Sequence, residues 1–299
     1  LVGVDIGCGM ETAVLADTQI DLARLDQVIH RLIPAGFSIR KAPHPLLDER
    51  ALLRLRCLGA INVERARLSV GTLGGGNHFI EIDRDDVGQL YLVIHTGSRN
   101  LGKQTAEYYQ KEAAKRLAKS GIDKSLAYCE GDLLADYLHD MAIIQSYADH
   151  NRKAILQILV RELRLTVQDS WTTVHNYIDL SAMILRKGAI SARAGERVLI
   201  PINMRDGSLI CLGKGNKDWN ESAPHGAGRL MSRTQARQVI SLDQYRQSMI
   251  GIYSSTVSKE TLDEAAFAYK PLAEILENIA DTVHVIKQIK PIYNFKAAE

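Results

Sequence analysis

Cysteine is scarce in this 299-residue chain, and Cys8, Cys57, Cys129 and Cys211 form no CxxC pair. That pattern excludes a disulfide-stapled scaffold and a zinc ribbon, and it predicts a reducing, cytoplasmic setting. Two tryptophans and four phenylalanines leave little material for a groove that grips single strands by stacking alone. Trp171 and Trp219 are therefore read as packing residues. No apolar run approaches the roughly 20 residues of a membrane-spanning helix. Net charge is almost missing too. Thirty-seven Lys and Arg against 35 Asp and Glu leave +2, which argues against a protein coated in nucleic acid or docked on an anionic membrane. There is no repeat and no low-complexity linker, and 46% apolar residues exclude disorder.

The small total hides an uneven distribution. Between Ser181 and Ile240 stand ten basic and four acidic residues, a net of +6, together with seven of the 22 glycines. The remaining residues carry 27 basic and 31 acidic groups, a net of −4. A basic, glycine-rich stretch in an otherwise acidic chain fits a phosphate-handling surface, or a solvated face.

Hydrophobic spacing predicts helices over Asp21–Ile33 (Asp21 as N-cap), Leu101–Lys119, Asp132–Leu165, Gly228–Ile240 and Pro271–Asp281. Strands are expected at Val2–Ile6, Tyr91–His95, Arg197–Ile202 and Ser208–Leu212, the last two joined by a turn at Met204–Gly207. Thr282–Ile289 reads as extended. Strands and helices mix without a regular βαβ alternation, which predicts an α+β fold in a single domain over residues 1–299. The chain opens at Leu1 inside an apolar run, so a further N-terminal segment is expected to precede it.

Metal-type residues lie beside nearly every glycine cluster. In Asp5-Ile-Gly-Cys8-Gly-Met10 a carboxylate and a thiol three residues apart can reach one ion, although a turn with a buried cysteine explains the same residues. Gly74-Gly-Gly-Asn77-His78-Phe79-Ile-Glu81 suits close approach of backbone to a ligand. There His78 is a possible metal ligand, Asn77 a phosphate contact and Glu81 an acceptor for a base edge; a glycine hairpin with a core histidine is the competing reading. His95-Thr-Gly-Ser-Arg99 follows a strand, and His175-Asn176 offers a third imidazole. Either alone is more often structural. The strongest single signal is His225-Gly-Ala-Gly-Arg229-Leu-Met-Ser-Arg233. If its glycines open a helix, free N–H groups and the helix dipole favour an anion beside His225. Arg229 and Arg233 would then share one helix face. Together with the other ligands, this block points to metal-assisted phosphoryl or nucleotidyl chemistry with His225 as nucleophile. His30, His44, His139, His150 and His284 have no such context, and Cys57, Cys129 and Cys211 read as inert.

In order along nearly the whole chain, these blocks, with Lys187-Gly-Ala189 and Gly213-Lys-Gly-Asn216, resemble the RtcB family of RNA-splicing ligases. The resemblance implies an α+β fold built on a central β-sheet core with flanking helices, and a GTP- and Mn²⁺-dependent ligase. Such an enzyme joins RNA ending in a 2′,3′-cyclic phosphate or 3′-phosphate to RNA with a 5′-hydroxyl. It further implies two manganese ions held by Asp5, Cys8, His78, His95 and His175, with Cys8 bridging, and a guanylylated His225. Asn77, Phe79, Glu81, Ser208, Gly226, Ala227, Gly228, Tyr269 and Lys296 fall where the family binds GTP. Arg99, Lys187, Arg229 and Arg233 would hold RNA or triphosphate oxygens. Two stretches depart from the family pattern: Pro201-Ile-Asn-Met204 stands where PGSM is usual, and Ala223-Pro224 where Cys-Ser is usual. With the short length, they suggest a divergent bacterial subfamily repairing cleaved rRNA or tRNA beside a release-factor homologue. The same metals suit a phosphodiesterase or phosphatase that processes RNA ends without sealing them. A non-catalytic nucleotide- or RNA-binding protein is the third class, and the intact set of metal-type residues argues against it.

Overall fold

The structure is a computed structural model that describes residues 1–118 and 121–297. Its strands in chain order are β1 (Gly9–Leu15), β2 (Phe79–Arg84), β3 (Leu90–Thr96), β4 (Val167–Val174), β5 (Asn176–Asp179), β6 (Ile184–Lys187), β7 (Ala189–Ser191), β8 (Arg197–Asn203), β9 (Gly207–Gly213), β10 (Ser222–Pro224) and β11 (Val283–Lys296). Helices are α1 (Leu22–Leu32), α2 (Glu49–Leu52), α3 (Val63–Arg67), α4 (Arg99–Arg116), α5 (Gly131–Leu163), α6 (Arg233–Val239), α7 (Leu242–Ser248) and α8 (Leu272–Ile279). The expected α+β architecture with a central sheet and flanking helices is what forms.

Seven strands build one antiparallel sheet in the order β4-β1-β3-β2-β11-β9-β8. Period-2 alternation sorts its side chains. On one face Ile80, Ile82, Leu90, Leu92 and Ile94 pack with α1 and with Ile155, Ile158 and Leu159 of α5. The opposite face gathers Met10, Phe79, Tyr91, Val93, Leu199, Ile210 and Ile289 into a smaller core. That face is concave, because the sheet curls until its two ends meet through side chains. Leu199 N donates to Thr173 Oγ1 at 3.1 Å, and Arg197 sits 3.8 Å above the Trp171 ring while pairing with Asp169 at 2.7 Å. Trp171 is thus a packing residue, as expected. Trp219 is not: it is 58% exposed.

Asp21 caps α1 by accepting from Arg24 N at 3.0 Å. The 33-residue α5 ends at Arg164, whose left-handed φ of 57° stops the ladder. Lys119, where the helix expected from Leu101 ends, lies outside the described residues; that helix, α4, begins at Arg99. Two expectations fail. Val2–Ile6 is not a strand, because the peptide groups there are spent on a turn. Asn176 Nδ2 donates to Asp5 O at 2.7 Å, and Gly7 N to Asn176 O at 2.7 Å, so the ladder starts only at Gly9. Gly228–Ile240 is helical only from Arg233, since Arg229 is extended and forms a bridge with Tyr269. Thr282–Ile289 is the first part of a longer strand, β11, kept in the sheet past Pro291 by a bulge.

Candidate metal and nucleotide site

Strand register decides where the site lies. Gly9 pairs with Thr96 and with Val174, and Phe79 pairs with His95 and with Lys296. Five segments therefore enter or leave the sheet at the same rim. Cys8 precedes β1, His78 precedes β2, His95 ends β3, His175 follows β4, and Lys296 ends β11. Cys8 and His175 meet, although 167 positions apart in sequence, because antiparallel pairing returns each strand to one edge.

At that rim Cys8 Sγ stands 3.3 Å from His95 Nε2 and 3.6 Å from His78 Nε2. His95 Nε2 lies 3.2 Å from His175 Nε2, and His78 Nε2 lies 2.9 Å from Asp5 Oδ2. Two triads result, Asp5-Cys8-His78 and Cys8-His95-His175, and they share the cysteine. A single sulfur thus belongs to both groups, and each group could hold a divalent ion.

The chemistry of the donors fits such ions. His95 Nδ1 faces the Asn77 carbonyl at 3.1 Å. A carbonyl only accepts, so Nδ1 carries the proton and Nε2 the lone pair that looks onto Cys8 and His175. Burial, with His175 and His78 nearby, drives the His95 imidazole well below its ordinary pKa, and burial next to His225 takes His175 to about 3. Both rings stay neutral, the form that ligates. Burial and the Asp5 charge push the Cys8 thiol far up, so a thiolate here needs a cation beside it. Burial also raises the Asp5 carboxyl, but the His78 hydrogen bond and the charges of His78 and Arg99 outweigh it and bring it to about 2. His175 Nδ1 is buried without a partner among the described residues. Mixed N, O and S donors suit manganese, zinc or iron.

The rim is braced from behind by α5. Asn151, fully buried, accepts from Gly71 N and Thr72 N at 2.7 and 3.0 Å and donates to the Thr72 and Gly97 carbonyls. Arg152, also fully buried, donates to Gly7 O at 2.7 Å and Thr96 O at 3.2 Å, the neighbours of Cys8 and His95. No motif marked either residue. Glycines set the close approaches. A Cβ on Gly97 would lie 2.3 Å from Asp5 Oδ1, and one on Gly74 (φ +79°) would lie inside the Arg99 guanidinium.

Two cavities open on the cluster. One, of ≈280 Å³, is lined by His95, His175, His225, Gly226, Ala227, Gly228, Asn77, Phe79, Glu81, Tyr269 and Lys296, with Pro201–Met204, Arg229, Arg233 and Glu264. The other, of ≈650 Å³, is lined by Asp5, His78, Arg99, Arg65, Lys103 and the exposed Phe37. Of the residues expected around GTP, only Ser208 is absent from the first cavity; it is fully buried, its hydroxyl unpartnered among the described residues. Lys187 is exposed and lines a separate hollow with Trp219, although its neighbour Gly188 accepts a 2.8 Å hydrogen bond from His225 Nδ1. The departing Pro201–Met204 stretch forms cavity wall, with Asn203 Oδ1 capping the following turn through Arg205 N and Asp206 N.

The environment of His225 differs from the expected helix start. His225 sits in a bend after β10 and α6 begins only at Arg233, so the expected helix start, with its dipole, is not beside it. Arg229 and Arg233 do not share a helix face either. They converge because both reach Glu264, whose Oε1 lies 3.4 Å from Arg229 Nη1 and 2.6 Å from Arg233 Nη1. Asp263 takes a second bond from Arg233 and two from Arg237. Both carboxylates escaped sequence reasoning, which had no glycine or histidine signal at Asp263-Glu264. The remaining histidines are structural where bonded, with His139 on Asp140 at 3.0 Å and His30 on Ser255 at 3.1 Å. Burial raises Cys57 and Cys211 to about 12, in keeping with inert thiols. Among the described residues no helix is long and apolar enough to cross a membrane.

Comparison with known proteins places the chain in a family. Residues 54–297 match the family model described as tRNA-splicing ligase RtcB. The chain is 32% identical over 338 aligned positions to the RNA-splicing ligase RtcB of Escherichia coli K12, covering 97% of this chain and 81% of that protein. A second relative, RNA-splicing ligase RtcB1 of Escherichia coli ATCC 25922, is 31% identical with the same coverage. The tRNA-splicing ligase RtcB of Aeropyrum pernix is 28% identical over 74% of this chain and 57% of its own length. The clustered ligands, the cavity beside them and these matches together make the chain a member of the RtcB family.

Proposed function

We propose that this chain is a GTP- and Mn²⁺-dependent RNA ligase that joins 2′,3′-cyclic phosphate or 3′-phosphate ends to 5′-hydroxyl ends, acting on broken tRNA or rRNA. The observation that carries the proposal is the position of His225. Its ring lines the smaller cavity 4.9 Å from the ring of His175, so one imidazole neighbours both the metal cluster and the nucleotide space.

The protonation of His225 suits attack. Nδ1 donates to the Gly188 carbonyl, which leaves the lone pair on Nε2. Burial lowers the imidazole below its ordinary pKa, against the opposing pull of that hydrogen bond, so the ring is neutral near pH 7. Attack of Nε2 on the α-phosphorus of GTP forms an N–P bond and expels pyrophosphate. The GMP then passes to an RNA 3′-phosphate, and the 5′-hydroxyl of the second strand attacks that phosphate and releases GMP. Cyclic ends are first hydrolysed to the 3′-phosphate. Two manganese ions held by Asp5, Cys8, His78, His95 and His175 would supply the charge that stabilises phosphate oxygens in these steps. Glu81 would accept from the guanine edge, Lys296 would donate to the nucleotide, Tyr269 would wall its pocket, and Arg99 in the larger cavity would hold an RNA phosphate.

Incubation with α-labelled GTP and Mn²⁺ tests the first step: an acid-labile adduct is expected in the wild type and none in His225→Ala. Failure to form it would sink the proposal. Joining of a 3′-phosphate oligonucleotide to a 5′-hydroxyl one separates ligation from end processing, since a hydrolase yields trimmed ends and no longer product.

A further inference from the structure

Glu264 is out of place in a cavity meant for a polyanion. Its side chain is 3% exposed, yet it lines the same space as His225 and the residues assigned to GTP. A buried carboxylate next to a triphosphate site is costly unless it orders cations that the nucleotide also uses. Glu264 does that with both oxygens. Oε2 accepts from Lys296 Nζ at 2.7 Å and from Tyr269 Oη at 2.7 Å. Oε1 holds Arg233 at 2.6 Å and Arg229 at 3.4 Å. Tyr269 is tied in twice, because Arg229 Nη1 also donates to its oxygen at 3.1 Å. Lys296 is completed by the Asn77 carbonyl at 3.0 Å and lies over the Phe79 ring.

We propose that Glu264 is a positioning residue for the nucleotide: one oxygen sets Lys296, the donor for the guanine end, and the other sets the arginines for the phosphate end. The assignment rests on the cavity's being the GTP site. A lysine ammonium fixed at this point donates to guanine O6, whereas adenine presents an N6 donor at the equivalent position and is repelled. Glu264 thereby governs the preference for GTP over ATP through Lys296 without touching the base. Burial raises its own carboxyl, but the Lys296 charge and hydrogen bond, with Arg233 and Tyr269, overcome that and hold it at about 2, so it stays an anion throughout the working range.

Glu264→Gln keeps the shape and turns one acceptor oxygen into a donor that faces a cation or a hydroxyl. In Mn²⁺-dependent guanylylation, the GTP KM is expected to rise about 10- to 100-fold, as loss of charge-assisted hydrogen bonds predicts. kcat should stay within about threefold, and the GTP-over-ATP preference should fall by a factor similar to the KM change. Glu264→Asp, which restores the charge, should recover part of the affinity. In a Lys296→Met background the added Glu264→Gln change should cost less than it does alone. A folded Glu264→Gln protein with unchanged KM and unchanged preference overturns the inference. So does a loss of kcat that tracks a fall in melting temperature and is not rescued by aspartate. If the glutamine variant does not fold, the aspartate variant decides, a wild-type KM and preference overturning the inference. A wild-type protein that binds neither GTP nor ATP overturns the nucleotide reading itself, and this inference with it.

Discussion

The Nε2 atoms of His95 and His175 lie 3.2 Å apart, both rings buried and both held neutral by their surroundings. Two ring nitrogens and the Cys8 sulfur crowd one dry point, and a divalent ion resolves that crowding. Adding Mn²⁺ to metal-stripped protein should therefore raise the melting temperature. At a hundredfold excess over Kd the linkage is about 2.7 kcal/mol, or a shift of about 5 °C. Scanning calorimetry with and without Mn²⁺ checks this, and Cys8→Ala, which breaks both triads, should abolish the shift.

Glu81 supplies a pH dependence. Burial raises its carboxyl to about 7, against the Asn294 hydrogen bond and the Lys296 charge. Asn294 and Lys296 face it from β11, and the buried Asp83 lies two residues along its own strand. Guanine N1–H and N2–H need the ionised acceptor, so a proton must leave before GTP binds. Affinity should strengthen by up to about tenfold per pH unit while the pH is below 7 and level off above it. Calorimetric titration of GTP at pH 6, 7 and 8 reads this directly, and in Glu81→Gln the slope should vanish along with most of the affinity.

Asn151 tests the bracing from α5. Its amide serves the Gly71–Thr72 backbone, the Thr96 hydroxyl and the Gly97 carbonyl together, so Asn151→Ala leaves several buried peptide groups unpaired. A loss of about 2–4 kcal/mol is expected in urea unfolding. Mn²⁺ affinity should fall as well, since His78 and His95 flank the segments it holds.

Gly74 separates the two cavities functionally. Alanine there must adopt a φ of +79° and displace the Arg99 guanidinium, which lines the larger cavity and not the smaller one. Gly74→Ala is expected to cost about 1–2 kcal/mol in stability. It should keep His225 guanylylation within about threefold and reduce strand joining by about tenfold or more, as loss of a phosphate contact predicts. Parallel adduct and joining assays check the split.

Much of the local structure was legible. Apolar spacing at Leu22, Leu25, Val28, Ile29 and Leu32 marks α1, and Asp21 before it is the expected cap. Val2–Ile6 misled because alternating apolar residues look like a strand wherever the backbone partners are unseen. Here Asn176, far along the chain, takes those peptide groups into a turn. The block after His225 misled for a related reason: its periodicity is helical, but Leu230 N donates to Ala268 O, and Arg229 bridges Tyr269, which holds the chain extended. The charge arithmetic also needed space. Of the ten basic residues between Ser181 and Ile240, Arg229 and Arg233 line the smaller cavity, and both are paired with carboxylates.

The sequence alone determined the chemical inventory, because Asp5, Cys8, His78, His95, His175 and His225 keep their donor chemistry in any fold. It also determined the helices whose apolar stripes are local. Tertiary structure decided which donors meet. Antiparallel register brings five segments to one rim, and Cys8 belongs to both triads only because β1 starts beside the end of β3. Only the fold revealed Glu264, Asn151 and Arg152, since a buried polar side chain takes its meaning from partners that lie far away along the chain. In the sequence each is an ordinary charged or amide residue; in the folded chain each is held by the groups it satisfies.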